Sequence, residues 1–168
     1  MKRLILLILA LIPLNSFGQN FNFDKSGGII WQCIYTTDMT STDFYKSLHL
    51  SPHIYSIEKI DTTFYTARLK RSKIDYKSYG YSRMQLPVYL TNNDVIADVI
   101  IEYKEGKYRI TLKNIDLKTT TTMEYGTLND IAIGEDGYFA DHFLNDVGNI
   151  YHFNFKKMFE LESISNDW

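Results

Sequence analysis

The period of the hydrophobic positions changes several times along the chain, and each change predicts an element. Leu4 to Ile12 is an unbroken apolar stretch with no alternation. Residues 29–37, Ile-Ile-Trp-Gln-Cys-Ile-Tyr-Thr-Thr, are β-branched and aromatic behind Gly27-Gly28. They predict a strand with Trp31, Cys33 and Tyr35 on one face. Thr40-Ser41-Thr42-Asp43 offers N-cap oxygens ahead of Phe44, Tyr45 and Leu48, whose spacing is helical. Pro52 ends that helix, since proline cannot donate and biases its predecessor away from helix. Segments 54–60 and 63–70 predict two short strands around Asp61-Thr62. Leu86-Pro87-Val88-Tyr89-Leu90 reads as an edge strand or strand start, the places in a sheet that proline tolerates.

A hairpin is predicted at 95–115. Val99, Ile101 and Tyr103 alternate with Asp98, Ile100 and Glu102, and beyond the turn Tyr108, Ile110 and Leu112 alternate with Arg109, Thr111 and Lys113. Centring the turn on Glu105-Gly106 puts both apolar sets on one face, with Tyr103 opposite Tyr108, Ile101 opposite Ile110 and Val99 opposite Leu112. The same register sets Glu102 against Arg109 and Asp98 against Lys113, two opposite-charge pairs that apolar matching did not require. Thr119 to Thr122 suggests an extended edge or connector, and Gly126, Gly134 and Gly137 mark a looped region. From Phe139 onward, Phe143, Val147, Ile150 and Tyr151 recur at helical spacing, then Phe155, Met158, Phe159 and Glu162. One or two C-terminal helices follow from this, with Gly148-Asn149 the place for a break.

Composition narrows the class. The 168 residues are 45% hydrophobic and 23% charged, with nine glycines, three prolines and one cysteine, which argues against disorder and excludes an internal disulfide framework. Lys2 and Arg3, the apolar run, and Ser16-Phe17-Gly18 with small residues at the −3 and −1 positions together read as a secretory signal peptide over 1–18, cleaved near Gly18. The run falls well short of the ~20 residues that span a bilayer. No cysteine just beyond it marks a lipoprotein. The expected product is residues 19–168, a single exported domain, periplasmic or secreted.

Charge is unevenly placed. The formal net charge is −2, and −4 without Lys2 and Arg3. Residues 62–83 hold six basic groups against Asp75, and residues 119–168 hold nine acids against two lysines. The basic stretch is the strongest functional candidate. Arg68, Lys70, Arg71, Lys73, Lys77 and Arg83 interleave with Tyr65, Tyr76, Tyr79 and Tyr81, a mix suited to anionic glycans or single-stranded nucleic acid. Export disfavours nucleic acid and leaves an envelope polysaccharide or a protein partner. The competing reading is a solvated loop whose tyrosines pack its stems, or whose cations pair with the acidic C-terminal third.

Enzyme chemistry finds little purchase. His49 and His53 are spaced for one helix face, but Pro52 interrupts the helix. His142 and His152 differ in helical phase. Asp130, Glu135, Asp136 and Asp141 lack the alternate oxygens and closing glutamate of a calcium loop. Cys33, among alternating apolar neighbours, is expected to be buried. There is no nucleophile elbow, phosphate loop or dinucleotide fingerprint, and no cofactor is expected. Asp61-Thr62-Thr63 resembles an O-glycosylation acceptor of Bacteroidota.

The segment 102–115, Glu-Tyr-Lys-Glu-Gly-Lys-Tyr-Arg-Ile-Thr-Leu-Lys-Asn-Ile, and the early helix Phe44-Tyr45-Lys46-Ser47-Leu48 carry one resemblance. The chain resembles an exported Bacteroidota domain-of-unknown-function family with a TATA-binding-protein-like fold, over roughly 29–118 and the C-terminal helix. Pro52 and the basic, Tyr-rich insert at 71–83 depart from that family's pattern. The resemblance implies an antiparallel sheet backed by helices and brings no activity, and its fold label does not imply DNA binding.

The expected architecture is α+β: an antiparallel sheet of about five strands, with an early helix and a C-terminal helical segment packed on one face. The expected role is a non-catalytic exported module for an envelope component, glycan or protein partner. Its rival is a small periplasmic hydrolase or metal-dependent enzyme whose residues converge only in three dimensions. A pocket lined by paired carboxylates would favour that rival.

Overall fold

In a computed structural model, which describes residues 20–119 and 126–161, burial alternates along the strands as one-sided packing demands. The whole leader at 1–18, Thr120 to Thr122 of the threonine run and Glu162 lie outside the described residues. Strands β1 (Phe21–Phe23), β2 (Ile29–Thr36), β3 (Ile54–Lys59), β4 (Phe64–Lys73), β5 (Asn93–Lys104) and β6 (Lys107–Thr119) form one antiparallel sheet in the order β1-β2-β6-β5-β4-β3. Helix α1 (Ser41–Leu50) follows β2, α2 (Val88–Asn92) precedes β5, and α3 (Asn129–Ala132) and α4 (Gly148–Met158) follow β6.

The α+β class is as expected, with six strands where about five were expected. The additional strand is β1, whose three residues are too few to show a period; it is held by pairing Phe21 with Trp31. Leu86–Leu90 is not a strand. Pro87 stands at the N-cap of α2, where its missing N–H is no loss because the first turn's donors have no helical partner anyway. Helix α1 begins where its oxygens allow, with the Thr40 hydroxyl accepting from the Asp43 N–H at 3.2 Å, and it ends ahead of Pro52.

The hairpin has the register that apolar matching requires: Tyr103 faces Tyr108, Ile101 faces Ile110, Val99 faces Leu112 and Glu102 faces Arg109. Asp98 lies opposite Lys113, yet its carboxylate turns elsewhere. It accepts from Asn114 Nδ2 at 2.7 Å and lies 3.4 Å from Arg68. Past Lys113, Asn114 adopts φ +49 and opens a bulge. That extra residue switches the inward set of β6 from Tyr108, Ile110 and Leu112 to Ile115 and Leu117. Ser56, at φ +52, accompanies a second bulge in β3, and β4 carries a third between Leu69 and Ser72. The bulged, six-residue β3 and the three-residue β1 are poor templates for a further strand.

Both long helices cover the same face. Phe44 of α1 is fully buried against Tyr65, Tyr103 and Tyr108, at ring separations of 6.1, 4.8 and 5.1 Å. Trp31 meets Phe155 edge-on at 5.5 Å and Phe159 at 6.3 Å. The C-terminal helical segment is not broken at Gly148, which keeps a right-handed helical conformation. A π-helical turn, Phe143–Val147, leads directly into α4. Tyr35 and Tyr108 stack at 4.8 Å and donate to the carbonyls of Lys156 and Phe159, tying the end of α4 to the sheet. Tyr108 also accepts from Leu161, and burial pushes its phenol up to about 12.

Arg109 holds Glu102 through two bonds of 2.7 Å, Nε to Oε2 and Nη2 to Oε1. Arg109→Glu is expected to cost ~1 kcal/mol by placing like charges opposite one another, and adding Glu102→Arg should restore most of it. Urea unfolding of the two variants checks this, and no recovery in the double variant would discard the pairing.

Candidate functional site

The sheet face away from the helices is organised by charge. Asp94, Asp98 and Glu102 project outward from central β5, and arginines on the flanking strands reach in to them. Arg71 Nε lies 2.6 Å from the nearly buried Asp94, Arg68 lies 3.4 Å from Asp98, and Arg109 binds Glu102. Arg71 also donates to the Thr119 carbonyl at 3.0 Å. Among the described residues, Arg68 and Arg71, both candidates from sequence, pair with β5 acids rather than with acids of the C-terminal third. Lys70 and Lys73 share this face through the β4 bulge and form no ion pair among the described residues.

The other candidates occupy a separate place. The chain leaves β4 and passes over the end of α4. Tyr76 and Tyr81 pack against the core, and Tyr79 is 37% exposed. The Tyr79 and Tyr81 rings lie parallel to within 4°, 5.9 Å apart, and Phe153 of α4 leans on Tyr79 at 5.2 Å. The loop is closely tied. Gly80 N–H donates to Lys77 O, Tyr81 N–H donates to Tyr76 O, and Gly80 takes φ +99, which a residue with a Cβ would adopt only under strain. Asp75 N–H donates to Asn154 Oδ1 at 2.7 Å, while the Asn154 amide donates to Ile150 O. A buried asparagine of α4 thus holds the loop down.

Electrostatics at this loop are positive. Hydrogen bonds from the Ser78 hydroxyl and N–H hold the Asp75 carboxyl below the ordinary carboxylate range, and the Lys157 ammonium adds to the effect. Arg83 Nη2 donates to the neutral Asn92 side chain at 2.9 Å, so its charge is not cancelled there. The structure divides the sequence candidates: Tyr65 is buried in the core under α1, Arg68, Lys70, Arg71 and Lys73 stay on the sheet, and Tyr76, Lys77, Tyr79, Tyr81 and Arg83 form the loop. Phe153, Asn154 and Lys157 were missed. Phe153 lies off the Phe143–Val147–Tyr151–Phe155 stripe, and that was the one available signal.

Three depressions contain paired carboxylates, and the most voluminous of the three, about 550 Å³, includes Asp38 and Glu105. A second, about 390 Å³, includes Asp61 and Glu102 beside Arg109 and Lys107. Asp61 Oδ1 accepts from the Thr63 N–H, the Thr63 hydroxyl and the Phe64 N–H, and Glu102 is held by Arg109. The third, about 310 Å³, includes Asp24 and Asp116. Asp24 Oδ1 accepts from Ser26 and Gly28, and Asp116 lies 3.7 Å from Lys118. Asp24 and Asp61 hold turns, Glu102 holds a cross-strand charge, and Asp116 lies beside a lysine of its own strand. No group of three or more metal-ligating side chains occurs among the described residues.

Cys33 is buried, and burial raises its thiol pKa. The histidines are dispersed. His142 Nε2 meets Ile131 O, whereas His152 Nδ1 accepts from the Trp31 indole N–H at 3.1 Å. Burial, with Lys156 adding, holds His152 below the ordinary imidazole range, and burial with Lys70 does the same for His53. Both sites favour the neutral ring, so their contribution to stability is complete above the unfolded value of about 6.5 and is lost as pH falls from there toward the folded values. Melting temperature is expected to drop as pH falls below about 6.5. The pair His53→Gln and His152→Gln should flatten that drop, since glutamine at 152 still accepts from Trp31 without titrating. An unchanged slope would count against this assignment.

No family model matches the chain, and no curated protein matches it. Among solved structures it is similar to a DUF4468 family protein from Bacteroides ovatus, at 12% identity and a TM-score of 0.43, over 89% of this chain and 95% of that one.

Proposed function

We propose that the chain is an exported, non-catalytic binding module whose recognition surface is the aromatic loop 75–83, and that this surface stacks on a glycan. The observation that carries the reading is the parallel Tyr79–Tyr81 pair presented on a loop tied down by Asn154. Tyr76 and Tyr81 suffice to pack the loop, while Tyr79 keeps an accessible ring. A tyrosine held in one position loses little entropy on binding, offers an apolar face to sugar C–H groups and keeps a hydroxyl for hydrogen bonding. The open sheet face suits a ligand less well, because its arginines already hold carboxylates and an incoming anion would have to displace them.

The basic, apolar and small-residue leader at 1–18 supports export. No helix among the described residues is long and apolar enough to cross a membrane. An antiparallel sheet backed by an early and a C-terminal helix agrees with the resemblance to the exported Bacteroidota family, and we propose its TATA-binding-protein-like fold for this chain. Engagement of Asp24, Asp61 and Glu102 in structural bonds supports binding over hydrolysis at those positions.

Affinity electrophoresis through gels containing neutral and acidic polysaccharides tests the reading. The protein should be retarded by at least one of them. Tyr79→Ala should weaken that retardation about tenfold, ~1.4 kcal/mol, with the cooperative unfolding transition retained. Free migration through every polysaccharide would overturn it.

A further inference from the structure

Resting on that reading, we infer that the glycan bound at Tyr79 is acidic, its carboxylates met by Lys77 of the loop and Lys157 of α4. The C-terminal third is acidic as a whole, with nine acids and two lysines over 119–168. The turn of that third which reaches the loop carries the lysines. Phe153 and Lys157 are one helical turn apart on the same side of α4, so the helix sets an ammonium beside the ring that supports Tyr79. Asp75, the acid next to them, is occupied by the Ser78 hydroxyl and N–H. Arg83 is bonded to a neutral amide. The loop 75–83 and α4 together carry one acid, Asp75, against Lys77, Arg83, Lys156 and Lys157, so the aromatic platform keeps a net positive rim from its own two segments.

Packing alone does not call for this arrangement. The aromatic contacts hold the loop without help from Lys77 or Lys157, which are both exposed. Lysine ammonium groups act as mobile point charges, suited to carboxylates whose position varies along a polymer. Sugar stacking would supply position, and the lysines would supply preference for acid.

Polygalacturonate, alginate and hyaluronate, each compared with its methyl ester, test the inference because esterification removes the charge and leaves the sugar. The acid form of at least one is expected to bind about tenfold more tightly than its ester at low salt, and the advantage should shrink as salt screens it. Lys77→Gln with Lys157→Gln should abolish the preference and leave ester binding intact, whereas Tyr79→Ala should weaken both forms. Equal binding of acid and ester would overturn the inference and leave the stacking reading standing. Failure of all six polymers to bind would overturn both. Equal or tighter binding of single-stranded oligothymidylate would show that the occupant is not a glycan.

Discussion

Burial of Trp31 between β2 and α4 is the contact on which the rest of the structure depends. Phe155 and Phe159 close on the indole from one helix face, and its N–H is satisfied by His152 one turn back. An aromatic side chain of that size contributes roughly 1.5–3 kcal/mol or more through buried area, and its polar atom must find a partner once water is excluded. With α4 seated in this way, Asn154 and Phe153 come to lie under the loop that leaves β4. The surface at Tyr79 therefore inherits its position from a core contact made on another strand.

The sheet deals with its uncovered face by a different device. Outward positions of β5 are acidic at Asp94, Asp98 and Glu102, and arginines approach them from both sides. The exposed pairs at Asp98 and Glu102 contribute little stability, but with the more buried Asp94 pair they neutralise a face that would otherwise carry unmatched rows of charge. Bulges at Ser56, at Lys70–Arg71 and at Asn114 let β3, β4 and β6 gain a residue while the buried face stays apolar. The charged side chains of β4 and β6 consequently remain on the open face over the full length of the strands.

Legibility in the sequence followed the range of the interaction. The hairpin register could be read because its partners lie within one local turn and its apolar and charged pairs agree. Helix α1 could be read from Thr40, Asp43 and Pro52, all within its own span. Strand β1 could not, because three residues show no alternation and its partner alone makes it a strand. Pro87 was misread because its φ serves a strand start and a helix start equally well, and only the turn that follows distinguishes them. The bond joining Asp75 to Asn154 spans 79 residues and leaves no local trace.

Composition and periodicity by themselves determined the α+β class, the one-sided sheet, the early and late helices, and a basic stretch separate from an acidic one. Tertiary structure alone decided what that basic stretch became. It spent Arg68 and Arg71 on β5 acids and brought Tyr79, Phe153 and Lys157 together. Periodicity is imposed by the backbone within a few residues, so it is written locally. Charge pairing and aromatic contact act between whichever groups the packed core brings together, and those partners are known only once the helices are seated on the sheet.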